Sequence, residues 1–204
     1  MTENDSQQKR STERNPYTPW FVVIAFVAPV IAAYSLYFLD IKPPSYNNKG
    51  ELLSPIIDVE SLAFTNDKNE KMTRDEVTEH KWHMMYFSGA DCNEACDKVL
   101  HKIRQVNVAT GKNAYRLRRL IVHLEKAGPE FQSLINEKYP DVIRVNGDSK
   151  TIKTAFEKIN INLHANEIYL MDPLGNIMMR FTQEQPPKDI LHDLNKLFKV
   201  SQIG

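Results

Sequence analysis

The sequence predicts an α/β fold, a sheet with flanking helices, preceded by one transmembrane helix. Three observations predict it. An uncharged stretch over residues 20–39 precedes the rest of the apolar pattern. Beyond residue 80, short apolar runs alternate with segments whose apolar residues recur in steps of three and four, and that alternation implies a layered α/β sheet. The only two cysteines, Cys92 and Cys96, fall between the first such run and the first such segment.

The 204 residues include 26 basic and 26 acidic side chains. A net charge of zero implies no general attraction to nucleic acid or to an anionic lipid surface. With the N-terminal part set aside, roughly 150 residues remain, one ordinary domain with material for its own core.

A helix over 20–39 would be about 30 Å long, the thickness of a bilayer core. Tyr17, Trp20 and Phe21 mark one edge, and Tyr34, Tyr37 and Phe38 the other, as an aromatic belt does. Pro29 is read as a kink. The run is too long for a signal-peptide core, and no A-x-A site follows it. Its polar flanks argue against a buried core helix. Lys9, Arg10 and Arg14 precede it, while Lys42 and Lys49 follow, a bias toward a cytoplasmic N-terminus. The chain thus divides into a disordered cytoplasmic tail over 1–18, a transmembrane helix over 19–40, a linker over 41–57 and a folded domain over 58–204. The linker holds Pro43, Pro44, Gly50 and Pro55 and shows no strand or helix periodicity. The domain would face an oxidising compartment, where a cysteine pair persists as a disulfide.

Within the domain, 82–87 reads as a buried strand. Cys92, Cys96, Val99, Ile103 and Val106 step as a helix face. Residues 117–124 read as a second strand, and Phe131, Leu134, Ile135 and Tyr139 as a short helix ended by Pro140. A third strand spans 142–145, and Ile152, Ala155, Phe156 and Ile159 mark another helix. Strands 167–171 and 177–181 flank Asp172-Pro173-Leu174-Gly175-Asn176, a hairpin turn. The last helix opens near Pro187 and carries Ile190, Leu191, Leu194, Leu197 and Phe198 on one stripe. Residues 60–65 read as an earlier edge strand. The order β-α-β-α-β-α-β-β-α, with cysteines after the first long strand, is that of a thioredoxin-like sheet.

Cys92 and Cys96 at a loop–helix junction suit a redox pair or two thiolates gripping one soft metal ion. Two ligands are too few for structural zinc or an iron–sulfur cluster. The structural alternative is that both continue the apolar face of their helix as small buried hydrophobes. Asp91, Glu94 and Asp97 surround the pair, and negative charge raises a thiol pKa. A bound cation reverses that, because it deprotonates the thiols itself. The acidic setting therefore favours metal holding or a stable redox pair over rapid exchange.

Six histidines are candidates for a third ligand. His101 is turned away from the cysteine face, His83 and His123 fall within strands, and His80 and His192 lie in polar surroundings. His164 precedes strand 167–171, and in a thioredoxin-like sheet that loop approaches the cysteine loop. The candidate metal site is therefore Cys92, Cys96 and His164.

Met85-Tyr86-Phe87, Cys92-Asn93-Glu94-Ala95-Cys96, and His164 followed by Ile168-Tyr169-Leu170-Met171-Asp172-Pro173-Leu174-Gly175 carry a resemblance. The chain resembles the Sco/SenC family of membrane-anchored, thioredoxin-like, copper-binding proteins that assist cytochrome c oxidase assembly. The family pattern is C-x-x-x-C with a distant histidine. Asn93 stands where the family usually has a proline, and Val122-His123-Leu124-Glu125 replaces its Asp-Pro segment. Gly175-Asn176-Ile177-Met178-Met179-Arg180-Phe181 and Ser201-Gln202-Ile203-Gly204 are similar to a small group of bacterial membrane proteins associated with cytochrome oxidase. The resemblance implies a copper (Cu(I)) cargo held by Cys92, Cys96 and His164, and a cytochrome c oxidase subunit or another assembly factor as partner. It also implies an inner (plasma) membrane location with the domain on the periplasmic side. Copper handling competes with two other readings of the residues: a thiol–disulfide oxidoreductase using Cys92 and Cys96, and a non-catalytic scaffold of the oxidase complex.

Overall fold

The computed structural model describes residues 17–38, 48–164, 166–201 and 203. The expected tail, apart from its last two residues, and the first part of the expected linker lie outside them. Two compact units make up the chain, residues 1–46 and 47–204.

In the first unit, α1 (Thr18–Phe38) is a 21-residue helix with Pro29 inside it and no charged residue in its first or last turn. Such a helix is about 30 Å long. Described side chains run unbroken only over 19–35, and among the described residues no helix is long and apolar enough to cross a membrane.

The second unit is built on a six-stranded sheet in the order β1-β6-β5-β2-β3-β4. β2 (Trp82–Ser88), β3 (Leu117–His123) and β4 (Ile143–Asn146) run parallel. β5 (Ile168–Met171), β6 (Asn176–Phe181) and β1 (Glu51–Asp58) add an antiparallel half. All seven residues of β2 are buried, as a central strand covered on both faces requires. Its side chains alternate. Trp82, Met84 and Tyr86 join a core with α3 (Glu94–Ala109), α4 (Pro129–Lys138) and α6 (Pro187–Val200). Met85 and Phe87 join the opposite core, with α5 (Ser149–Glu157) and the chain around Val59–Leu62. The thioredoxin-like order expected from residue 82 onward is the observed one.

The structure corrects the region before it. Residues 51–57, assigned to the linker, belong to β1, which pairs with β6. Residues 60–65, read as an edge strand, instead begin within a 3-10 turn, Val59–Leu62, capped by the Asp58 side chain. Ala63 there adopts a φ of 50°, which breaks a strand. A five-residue helix, α2 (Arg74–Thr78), also precedes β2, and Thr73 and Glu76 form the capping box that starts it.

Candidate functional site

The Cys92 loop leaves the C-terminal end of β2. Backbone bonds fix its course: Leu124 N–H donates to Ser88 O, and Gly128 N–H to Ala90 O. Gly128 is confined, because a Cβ there would lie 3.1 Å from Asp91 Oδ1. Cys92 is not on the helix, as the spacing suggested. α3 begins at Glu94, and Asn93 is its N-cap, with Cys96 N–H donating to Asn93 Oδ1 at 3.0 Å. Cys96 therefore sits in the first helical turn.

The two sulfurs form a disulfide with a Cα–Cα separation of 5.2 Å. Cys96 is 3% exposed and continues the buried face of Val99, Leu100, Ile103 and Val106. Cys92 is only partly buried. Cys96 is thus packed as a small buried hydrophobe, and Cys92 is the reachable half of the disulfide.

The acidic field around the pair is weaker than the sequence implied. Lys98 pairs with Glu94 at 2.6 Å and holds that carboxyl below its usual range. Asp97 accepts from the Tyr139 hydroxyl at 2.8 Å and from Lys138 Nζ at 3.2 Å. Those contacts, Tyr139 first, keep it ionised below its ordinary pKa. Burial and that same bond push Tyr139 up to about 12. Two of the three carboxylates are therefore already partnered.

The histidines sort as follows. His101 is exposed and lines a groove of about 680 Å³ with Asp97, Arg104 and Tyr139. His123 is buried against Ser88, Nδ1 to Oγ 2.8 Å, and burial lowers its pKa. His83 is fully buried. His80 is exposed, and His192 bonds Asp193. His164 is exposed in the irregular segment before β5. β2 and β5 are antiparallel neighbours with Met85 opposite Tyr169, so the chain entering β5 lies at the sheet end where the cysteine loop leaves β2. Tyr86 Oη donates to Asn166 Oδ1 across that gap at 3.3 Å. Among the described residues no three His, Cys, Asp or Glu side chains converge to hold a metal. Two thiols and an imidazole would have the softness that Cu(I) selects, and Cys92 and Cys96 would supply thiols only once their disulfide is reduced.

Residues 82–201 match the protein-family model "Transmembrane-like, thioredoxin-like, C-terminal domain". No curated protein matches the sequence. Among solved structures, copper-bound ScoI from Arabidopsis thaliana superposes with a TM-score of 0.54 at 15% identity, over 74% of this chain and 99% of that one. Yeast Sco1 gives 0.54 at 18% identity, over 73% and 96%. BsSco, a member of the Sco family of cytochrome c oxidase assembly proteins in which a disulfide switch is identified, gives 0.52 at 13% identity, over 72% and 96%. At these identities the likeness is one of fold: a Sco-type thioredoxin-like sheet.

Proposed function

The chain belongs to the family of transmembrane-like, thioredoxin-like C-terminal domains, and from that premise we propose that it is a membrane-anchored thiol-redox and Cu(I)-handling factor for cytochrome c oxidase assembly. The observation that carries this reading is the Cys92–Cys96 disulfide at a loop–helix junction, one sulfur reachable and the other buried. Reduction by a dithiol donor moves two electrons and two protons onto the pair. The S–S bond breaks, two thiols form, and the donor becomes a disulfide. Deprotonated, Cys92 and Cys96 hold Cu(I) as cargo, with His164 as third donor. The partner is an oxidase subunit that needs copper, or another assembly factor.

The α1 helix is the anchor of this reading, in the inner (plasma) membrane with the sheet domain on the periplasmic side. The uncharged run over residues 20–39 supports that. A membrane-impermeant thiol reagent tests the topology: it labels reduced Cys92 in intact spheroplasts if the domain is outside, and fails to if it is inside.

The scaffold reading is separated by complementation. Cells lacking the chain recover oxidase with wild type. On the copper-handling account they do not recover it with the double variant C92S/C96S, whereas a scaffold predicts full recovery.

A further inference from the structure

A polar cavity lies outside the carboxyl ends of β3 and β4, where open α/β sheets generally take ligands. It holds about 610 Å³ and is lined by Asp67, Asn69, His123, Arg144 and the segment 124–127. Cavities of that size seat small-molecule ligands. Asp67, Glu125, Lys126 and Arg144 place two carboxylates and two cations around it. None of the four is ion-paired among the described residues. The groove between α3 and α4 differs, because its Asp97 pairs with Lys138 and its Lys98 with Glu94.

The walls of the cavity are held in place. His123 is 7% exposed, and Ser88 Oγ takes its Nδ1. Its Nε2 has no hydrogen bond among the described residues, and the ring lines the cavity. Asn136 of α4 orients the Arg144 guanidinium, Nη1 to Oδ1 2.9 Å. The turn bearing Asp67 is closed by Asn66 Oδ1, which accepts the N–H groups of Lys68 and Glu70 at 2.9 and 3.0 Å. Asn146 of β4 ties that turn down, donating to Asn66 O at 3.2 Å. Unpaired charges of both signs on fixed walls complement a zwitterion. His123 Nε2 and the Asn69 amide add neutral hydrogen-bonding groups that suit peptide bonds. The segment 124–127 is also bound to the cysteine loop, through Leu124 N–H to Ser88 O and Gly128 N–H to Ala90 O. Ala127 packs on the same core cluster as Cys92.

We infer that this cavity seats a small zwitterionic peptide thiol that reduces the Cys92–Cys96 disulfide. This rests on the thiol-redox reading of the pair. The ligand's thiolate attacks Cys92 Sγ, the S–S bond breaks, and Cys96 leaves as a thiolate that takes up a proton. A second ligand thiol then attacks the ligand sulfur of the mixed disulfide. That step frees Cys92 and forms the ligand's own disulfide. Two ligand thiols thus give up two electrons and two protons.

The test uses the purified full-length chain, oxidised, with Arg144→Gln and Asp67→Asn, both at exposed positions. S-methylglutathione carries the charges but no thiol. It should shift the NMR signals of His123 and Asn69 saturably, and each variant should weaken that binding about tenfold. Glutathione and 2-mercaptoethanol are then compared as reductants of the disulfide. The ratio of their second-order rates should fall about tenfold in R144Q and in D67N. Shifts that do not saturate, or that leave His123 and Asn69 unmoved, overturn the inference. So does a rate ratio equal in wild type and both variants, and the redox reading then stands, because 2-mercaptoethanol still reduces the pair. If neither thiol reduces the disulfide, the redox reading falls and the inference with it.

Discussion

Asn93 Oδ1 accepts the backbone N–H of Cys96 at 3.0 Å, so the residue between the loop and the helix both caps α3 and fixes the second cysteine. A proline at this position would supply no side-chain acceptor. Asn93→Ala should cost about 1 kcal/mol, lowering the melting midpoint by about 2–4 °C for a domain of this size. The disulfide should still form. Circular dichroism melts check the first effect, and thiol titration the second. An unchanged midpoint would show that the cap contributes nothing.

The parts of the fold that were legible in the sequence are those with a periodic signal. β2 is a continuous apolar run, and α6 carries a full stripe. β1 was not legible: in Glu51–Asp58 only Leu53 and Ile57 are buried, four residues apart, and the pairing register shifts between Leu52 and Ile57. Without alternation, and with Ser54 and Pro55 inside, it reads as tether. At the site, the cysteine spacing was visible, but whether the sulfurs bond each other or a metal depends on the electrons present, which residue types do not encode. Asn93 as N-cap was readable from its place before Glu94-Ala95-Cys96-Asp97. The Ser88–His123 and Tyr169–Glu167 contacts were not, because each depends on strand register.

The burial difference between the sulfurs predicts an order of reactivity. Reduced Cys96→Ser leaves Cys92 free and should form mixed disulfides with glutathione disulfide roughly tenfold or more faster than Cys92→Ser, whose Cys96 is 3% exposed. Mass spectrometry of timed, acid-quenched samples measures both rates. Equal rates would remove the assignment of Cys92 as the reachable half.

His83 makes stability pH-dependent. Lys81 O can only accept, so His83 Nδ1 carries the proton of the 3.0 Å bond between them, and Nε2 is buried with no partner among the described residues. Burial lowers the pKa to about 4, with Arg118 and Lys81 adding to that and the Lys81 carbonyl and Glu79 opposing it. The unfolded chain, titrating near 6.5, therefore binds more protons than the folded one between about pH 6.5 and 4. Stability should fall through that window as pH falls. His83→Phe should flatten part of the slope, and His123, also lowered by burial, accounts for more. Urea midpoints from pH 7 to 4 provide the measurement, and parallel curves for wild type and H83F would contradict it.

Asp193 anchors the start of the folded unit. It is 2% exposed, and its Oδ2 accepts the backbone N–H groups of Lys49 and Gly50 at 2.7 and 2.8 Å. Asp193→Ala should destabilise by about 1–3 kcal/mol for each donor left without a partner. It should also speed amide exchange at Lys49 and Gly50. Gly50→Ala should disturb the same junction from the other side, since a Cβ there would fall 2.5 Å from the Phe181 ring. Wild-type exchange at both amides in D193A would refute the anchoring role.

Anaerobic Cu(I) titration of the full-length chain decides most directly whether this disulfide is the resting form of a copper site. Reduced wild type should bind one Cu(I) against a competing chelator. The oxidised chain and the C92S/C96S variant should bind none, and H164A should bind more weakly by about 10- to 100-fold. Reduced wild type binding no more tightly than the C92S/C96S/H164A triple variant would contradict it.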